Sequence, residues 1–400
     1  MQYMHFCPRI GSRMTIFSSW RASRRLRRLS SERPSISHIY INGRFLTQNR
    51  SGTQRFAEEI ILALDESLAE APAEGYEITI LHPAKKKRSL KLRNIKQRAI
   101  GNRMGHLWEQ IDLYSASRNG LLLNFINSGP LMHKASVVTF HDASIFERPE
   151  LFSLKYRIFH KLLRPLLARR ALKLITVSKF SRERLARSFK VSEGNFSIVP
   201  NGCDHISNIP PDTSILKKHD LKVGEYVLCV GNASPNKNIS AAVRAFNAAA
   251  LEGYEFVSVG MPDGRVFGSL PNESRKIKRL RGISDNALRA LFENATLFAF
   301  PSKYEGFGIP LLEAMRLGCP VITSKAGANP ETVAGAAIQI DPENVGEFSA
   351  QMRIVAFDKV HRAKMIEDGY ARASNFEWRS SAEKLRSIIE TLLPRSQYGQ

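Results

Sequence analysis

Between Phe300 and Ser324 the chain reads FPSKYEGFGIPLLEAMRLGCPVITS. The stretch begins and ends as an apolar strand, and the segment between them sets the reading of the whole chain. After the first strand the chain turns through Gly306 and Gly308, and Pro310 suits the first position of a helix, where its missing N–H costs nothing. Leu311 to Leu317 then read as a short helix stopped by Gly318. Ile309 has no side chain able to cap that helix, so its first-turn amides are left seeking an acceptor. The glycines let a ligand approach the backbone closely, and a phosphate or sugar hydroxyl would complete the site. Glu305 and Glu313 stand eight residues apart around this turn. Glu305 can accept from sugar hydroxyls or stabilise developing positive charge, and Glu313 can take a paired hydroxyl such as the two on a ribose. Singly, Glu313 is better read as complementing the helix dipole, and Glu305 as a solvated loop acid. The pair with a glycine–proline insert favours a ligand site.

Outward from this stretch, short β-branched runs alternate with helical patterns. In the first half the expected strands are 38–45, 76–83, 121–126, 136–141, 172–178 and 196–201. In the second half they are 225–231, 254–260, 295–301, 320–324 and 336–341. Between the first two, Phe56, Ile60, Leu64 and Leu68 share one face of a helix. Ala241 to Leu251 and Ala287 to Phe292 read as shorter helices. Such alternation predicts parallel sheets covered by helices on both faces. Residues 203–225, with a Pro-Pro pair and little periodicity, separate the two runs of strands. The expected fold is α/β, with two doubly wound, Rossmann-like domains facing a central cleft. Their ligands belong beyond the carboxyl ends of the strands. The expected divisions are a basic, disordered arm over 1–36, domains over 37–205 and 206–375, and a closing helix over 376–400.

Four hundred residues exceed one ordinary domain. The chain holds 59 Lys and Arg against 37 Asp and Glu, a net charge of +22 that draws phosphates in nucleic acid, anionic lipid or a small substrate. The basic residues cluster in the N-terminal arm, in KKKRSLKLRNIKQR (85–98) and in KYRIFHKLLRPLLARRALK (155–173). The last is a basic amphipathic helix, which suits a membrane surface or a solvated face. No run approaches the roughly 18 apolar residues of a membrane span. The first residues lack an apolar signal core, and their arginines suit an organelle presequence or a disordered arm. The cysteines form no CxxC or Cys/His cluster, as expected of a reducing compartment and of a chain without a metal site.

Three further segments carry candidate chemistry. In VGNASPNKNIS (230–240) a strand ends at Gly231, Asn238 is placed to cap the next helix, and Lys237 stands at a helix start that disfavours a cation unless an anion binds there. In NRSGTQRFAEE (49–59) Gly52 opens the helix after the first strand, where a doubly wound domain receives a phosphate. In VVTFHDAS (137–144) His141 ends a strand on the side expected to face the cleft. Each also has a plain reading, as solvated loop lysine, simple turn and structural histidine. No DxD triplet supplies carboxylates for a divalent ion bridging a diphosphate. The charge would fall to Lys237, helix starts and backbone amides.

In this order the four segments resemble the retaining glycosyltransferases of family 4, which have the GT-B fold. EGFGIPLLEA resembles that family's E-x7-E motif. LWEQIDL (107–113), TFHDASIFERPE (139–150), ITVSKFSRERL (175–185), IVPNGCD (198–204) and FEWRSSAEKLRSII (376–389) are similar to its other segments. The resemblance implies that Glu313 binds the nucleotide ribose. It implies that Glu305 and the amides of Phe307, Gly308 and Ile309 hold the donor sugar, with Leu312 and Asn236 on the same donor side. Lys237 would pair with the diphosphate, Gly52 would let a loop approach the phosphates, and His141 would contact the sugar beside the reacting centre. It implies no metal and no cofactor beyond the nucleotide-sugar substrate. In a front-face reaction, the leaving phosphate would help deprotonate the acceptor. One departure stands out. Where the family commonly has arginine, this chain has Asn232 and Asn236, with Arg55 and Lys303 as candidate substitutes.

The function expected from this resemblance is transfer of a hexose, of mannose type by preference, to a glycan or lipid-linked acceptor in polysaccharide or lipopolysaccharide assembly. It would take place in the cytoplasm on the anionic inner face of the membrane, with no specific nucleic-acid partner. Two alternatives remain at this point. One is a non-catalytic protein of the same fold holding membrane or nucleic acid through its basic surface, although the basic runs lack base-stacking aromatics. The other is a different enzyme of that fold, such as a nucleotide-sugar epimerase.

Overall fold

The computed structural model describes residues 38–72, 75–232, 234–260 and 277–393. The basic arm expected over 1–36 lies outside the described residues. Thirteen strands of these residues form two sheets in which every pairing is parallel. The first takes β1 (His38–Asn42), β2 (Glu77–His82), β3 (Lys96–Ala99), β4 (Leu121–Asn124), β5 (Ser136–Thr139), β6 (Lys173–Thr176) and β7 (Phe196–Ile198), in the order 3-2-1-4-5-6-7. The second takes β8 (Tyr226–Val230), β9 (Glu255–Val259), β10 (Ile277–Leu280), β11 (Leu297–Phe300), β12 (Val321–Ser324) and β13 (Ile338–Ile340), in the order 10-9-8-11-12-13. This is the expected architecture of two doubly wound Rossmann-like sheets. Strand order reverses beside β1 and β4 in one sheet and beside β8 and β11 in the other, which opens a crevice at the carboxyl ends of those strands.

The longer helices are α1 (Gly52–Glu70), α2 (Leu154–Arg170), α3 (Lys179–Phe189), α4 (Ile239–Ala249), α5 (Asp285–Asn294), α6 (Ile309–Arg316), α7 (Val345–Phe357), α8 (Lys359–Ala373) and α9 (Trp378–Leu392). On α1 the predicted face of Phe56, Ile60, Leu64 and Leu68 is buried. Helix α9 follows the second sheet in sequence but packs on α1 of the first, burying Trp378, Ala382, Leu385 and Ile389. Phe56 and Trp378 meet edge-on at 5.9 Å, and Arg379 pairs with Glu70 at 2.7 Å.

Two strands escape the sequence reading. Both β3, KQRA, and β10, IKRL, lie at sheet edges. Charged side chains protect an exposed edge from further pairing, and they erase the apolar signature used to recognise a strand. The basic run 85–98 accordingly ends in β3. A second correction concerns Asn238. It occupies the first cap position of α4 but with φ of +50°, and its side chain donates to the Pro342 carbonyl at 2.8 Å instead of capping.

Because Leu385 is 1% exposed at the seam of α9 with the first domain, Leu385→Ala is expected to cost about 2–5 kcal/mol. Calorimetry should show a lowered unfolding midpoint.

Candidate active site

Loops at the carboxyl ends of the two sheets meet one another. Residues after β11 carry Glu305 to Gly308, residues after β8 carry Lys237, and residues after β4 and β5 carry Asn127 and His141. Helix α6 begins at Ile309, one residue earlier than predicted, with Gly308 at φ +95° in the cap position and no side chain capping it. That backbone conformation favours glycine. The loop is pinned from behind: Thr332 donates its hydroxyl to the Phe307 carbonyl at 2.5 Å, and the Ala328 amide donates to the Glu305 carbonyl at 2.9 Å.

Gly306 makes the seam between the two domains. A methyl group there would fall 2.4 Å from the His141 carbonyl. The Gly306 carbonyl accepts from Ser178 Oγ at 2.6 Å and from Ser181 Oγ at 2.9 Å, and Ser181 also donates to the His141 carbonyl at 2.8 Å. Beside it, the Glu331 carboxylate accepts from the amides of Lys179 and Phe180 at 2.8 and 3.0 Å, so the second domain caps helix α3 of the first.

The two predicted charges find each other. Lys237 Nζ lies 2.6 Å from Glu305 Oε1, with the side chains 23% and 15% exposed. The same ammonium lies 5.1 Å from the Phe300 ring centroid. Glu313 is held differently. Trp378 Nε1–H donates to His205 Nδ1 at 3.0 Å, which leaves Nε2–H of that ring to donate to Glu313 Oε1 at 2.9 Å. Because indole can only donate, this chain of bonds selects the His205 tautomer. Trp378 starts the crossing helix, and Asp204 Oδ1 accepts from its amide at 2.9 Å. Neither His205 nor Trp378 was singled out from the sequence. Trp378 lies inside one segment of the family resemblance and His205 directly follows another, but no local pattern there points to Glu313.

His141 is nearly buried. Its Nε2 donates to the Phe125 carbonyl at 2.7 Å, its amide donates to Asn127 Oδ1 at 2.8 Å, and its ring meets Phe56 edge-on at 5.0 Å. Burial pushes its imidazole below the usual range, offset in part by the bond to Phe125. Gly52 opens α1 facing the start of α6, where an added methyl would come no closer than 4.0 Å to Ile309. Phe307 and Ile309 are buried beside the loop. The Leu312 side chain is fully buried in the core. Asn236 donates to the Tyr304 carbonyl at 2.5 Å, and its buried Oδ1 has no partner. Asn232 accepts from the Ser234 amide at 3.1 Å. The two candidate substitutes for the missing arginine are engaged. Arg55 pairs with Asp285 at 2.8 Å and Glu59 at 3.3 Å, and Lys303 pairs with Glu343 at 2.5 Å.

Residues 212–372 match the model of the glycosyl transferases group 1, and residues 58–206 match that of glycosyltransferase family 4. The O-antigen chain mannosyltransferase B of Escherichia coli is 32% identical over 276 residues, which span 64% of this chain and 71% of that protein. The chain belongs to the group 1 glycosyltransferases. This glycosyltransferase is also 28% identical over 239 residues to the MMP alpha-(1->4)-mannosyltransferase of Mycolicibacterium hassiacum, covering 57% of this chain and 56% of that one. Its fold is shared with Anabaena Alr3699/HepE, solved in complex with UDP and glucose, at TM-score 0.66 and 18% identity over 88% of this chain and 99% of that one.

For this glycosyltransferase, Gly306→Ala is expected to cost about 1–3 kcal/mol by forcing the seam apart. Gly52→Ala, which meets only ordinary contacts, should keep the wild-type unfolding midpoint. Fluorimetric melting of the two variants checks both.

Proposed function

We propose that this glycosyltransferase is a retaining, metal-independent hexosyltransferase using a nucleotide diphosphate sugar, of mannose type by preference, and a glycan or lipid-linked acceptor in surface polysaccharide assembly. The observation that carries the reading is the Lys237–Glu305 pair at the order reversal of the second sheet. An ammonium and a carboxylate placed there match the two halves of the donor. Lys237 meets the diphosphate in place of a divalent ion, and Glu305, released from it, faces the sugar. Glu313, oriented by His205, takes the ribose hydroxyls. His141 stands across the seam against the sugar. The anomeric carbon–oxygen bond to phosphate breaks, the acceptor oxygen bonds that carbon from the same face, and its proton passes to the leaving phosphate oxygen. The mannosyltransferase names of the relatives support the donor class, and the O-antigen role of the Escherichia coli relative supports the acceptor class. UDP in the Anabaena structure supports a nucleotide in the cleft.

Glu305→Ala and Lys237→Met are each expected to lower turnover of GDP-mannose or another accepted donor by at least roughly a hundredfold while melting near wild type, because each removes charge stabilisation at the reacting bond. Release of nucleoside diphosphate measures it. Near-normal turnover by either variant would remove the mechanism.

The second part of the reading is an anionic membrane surface. Among the described residues no helix is long and apolar enough to cross a membrane. On α2, however, the outward stripe is apolar: Leu154, Ile158, Leu162 and Leu166 recur every fourth residue and are 64%, 54%, 63% and 42% exposed. Lys155, Arg169 and Arg170 flank them on the same helix. An apolar stripe with basic flanks fits a negatively charged lipid surface. Flotation with phosphatidylglycerol vesicles should be strong at low salt and should weaken when the stripe is interrupted by Ile158→Ser and Leu162→Ser. Equal flotation with neutral vesicles would count against it.

A further inference from the structure

Arg164 is the anomaly on α2. It is 5% exposed, its Nε has no hydrogen-bond partner, and no carboxylate pairs with it among the described residues. An uncompensated buried guanidinium is costly. Its surroundings deepen the anomaly. Arg44, also buried, has its counter-ion: Nε lies 3.0 Å from Glu109 Oε1, and a terminal nitrogen donates to Ser128 Oγ at 2.7 Å. Glu109 is fully buried and further accepts from Asn42 at 2.8 Å, Ser128 at 2.8 Å and His106 Nδ1 at 2.8 Å. Burial works to raise that carboxyl, but Arg44 and His106 hold it below its usual range. No ion pair joins it to Arg164 among the described residues. Asp142, whose charge also reaches His141, accepts from the Ser144 amide.

The Arg164 guanidinium lies near His141. Arg164 acts electrostatically on both His141 and His160. Ser128, bonded to Arg44 and Glu109, follows Asn127, whose side chain holds the His141 amide. His160 is 3% exposed, its Nδ1 has no partner, and its ring lies 5.3 Å from that of His106. Burial, then Arg164, hold its imidazole neutral, at about 3. An unmatched guanidinium and an unpartnered ring nitrogen thus lie behind the face of α2 that carries the apolar stripe.

We propose that Arg164 and His160 form a subsite for a phosphate group of the acceptor, such as the phosphate that joins a glycan to a lipid. The proposal rests on the glycosyltransferase reading above and adds the acceptor's charge to it. A phosphate would supply the counter-ion that the protein withholds, and the guanidinium can meet it through two parallel hydrogen bonds.

The test is binding of dodecyl phosphate, below its micelle concentration, to the full chain saturated with GDP or UDP, followed calorimetrically. The wild type is expected to bind it alongside the nucleotide. Arg164→Gln should weaken that binding roughly ten- to hundredfold without a lower melting point, since it removes an unmatched charge. Lys237→Met should lose the nucleotide and keep the alkyl phosphate. Displacement of dodecyl phosphate by nucleotide would place the phosphate in the donor site and overturn the proposal. Undiminished binding by Arg164→Gln, or failure of that variant to fold, would overturn it as well. A wild type that binds neither GDP nor UDP would instead defeat the donor reading, and the alkyl phosphate result would still decide the subsite.

Discussion

The carbonyl of Gly306 is where the two domains become one site. It belongs to the second domain, yet both of its hydrogen bonds come from serines of the first. The contact exists only because residue 306 has no side chain to strike the His141 carbonyl. Everything assigned to the sugar depends on this junction. Glu305 is the residue before it, the amides of Gly308 and Ile309 follow it, and His141 lies directly across. Glu331 reinforces the seam by accepting from the first two amides of α3, which the Ser178 cap leaves unmet. A loop held from both sides loses little entropy when a ligand arrives, which is the structural form of preorganisation.

The second dependence runs through the crossing helix. Trp378 is the first residue of α9, is packed against Phe56 of α1, and sets the tautomer of His205, which in turn orients Glu313. The carboxylate assigned to the ribose is therefore aimed by a residue whose own position depends on the first domain. Arg55 adds to the coupling: it emerges from α1, binds Asp285 at the start of α5, and feels the charge of Glu313. Both links join the domains away from Gly306, so the relative placement of the domains is defined at three points around the cleft.

How far this was legible in the residues follows from the range of each interaction. The strands inside each sheet announce themselves because burial on both faces demands continuous apolar runs; β3 and β10 do not, because edges are kept charged. The turn at 305–310 was legible because glycine and proline encode backbone geometry locally. The Lys237–Glu305 pair was named residue by residue but not as a pair, since the two are 68 positions apart. Glu313 and His205 are 108 apart, and His205 and Trp378 are 173 apart. No spacing rule reaches across such separations. Leu312 lies inside the same segment as Glu313, and helical periodicity sends its side chain to the core.

Arg164 was read in the sequence only as one of several basic residues on an amphipathic helix. The fold divides that group by environment. Lys155, Arg169 and Arg170 stay at the surface, where hydrated charge is cheap and the neighbouring leucines set the character of the face. Arg164 turns inward with Leu163 and Leu167, and no carboxylate pairs with it among the described residues. A helix that presents apolar side chains outward and an unmatched guanidinium inward inverts the usual soluble pattern. Each half of that inversion has its own physical resolution: an apolar surface for the outward leucines and an anion for the inward arginine.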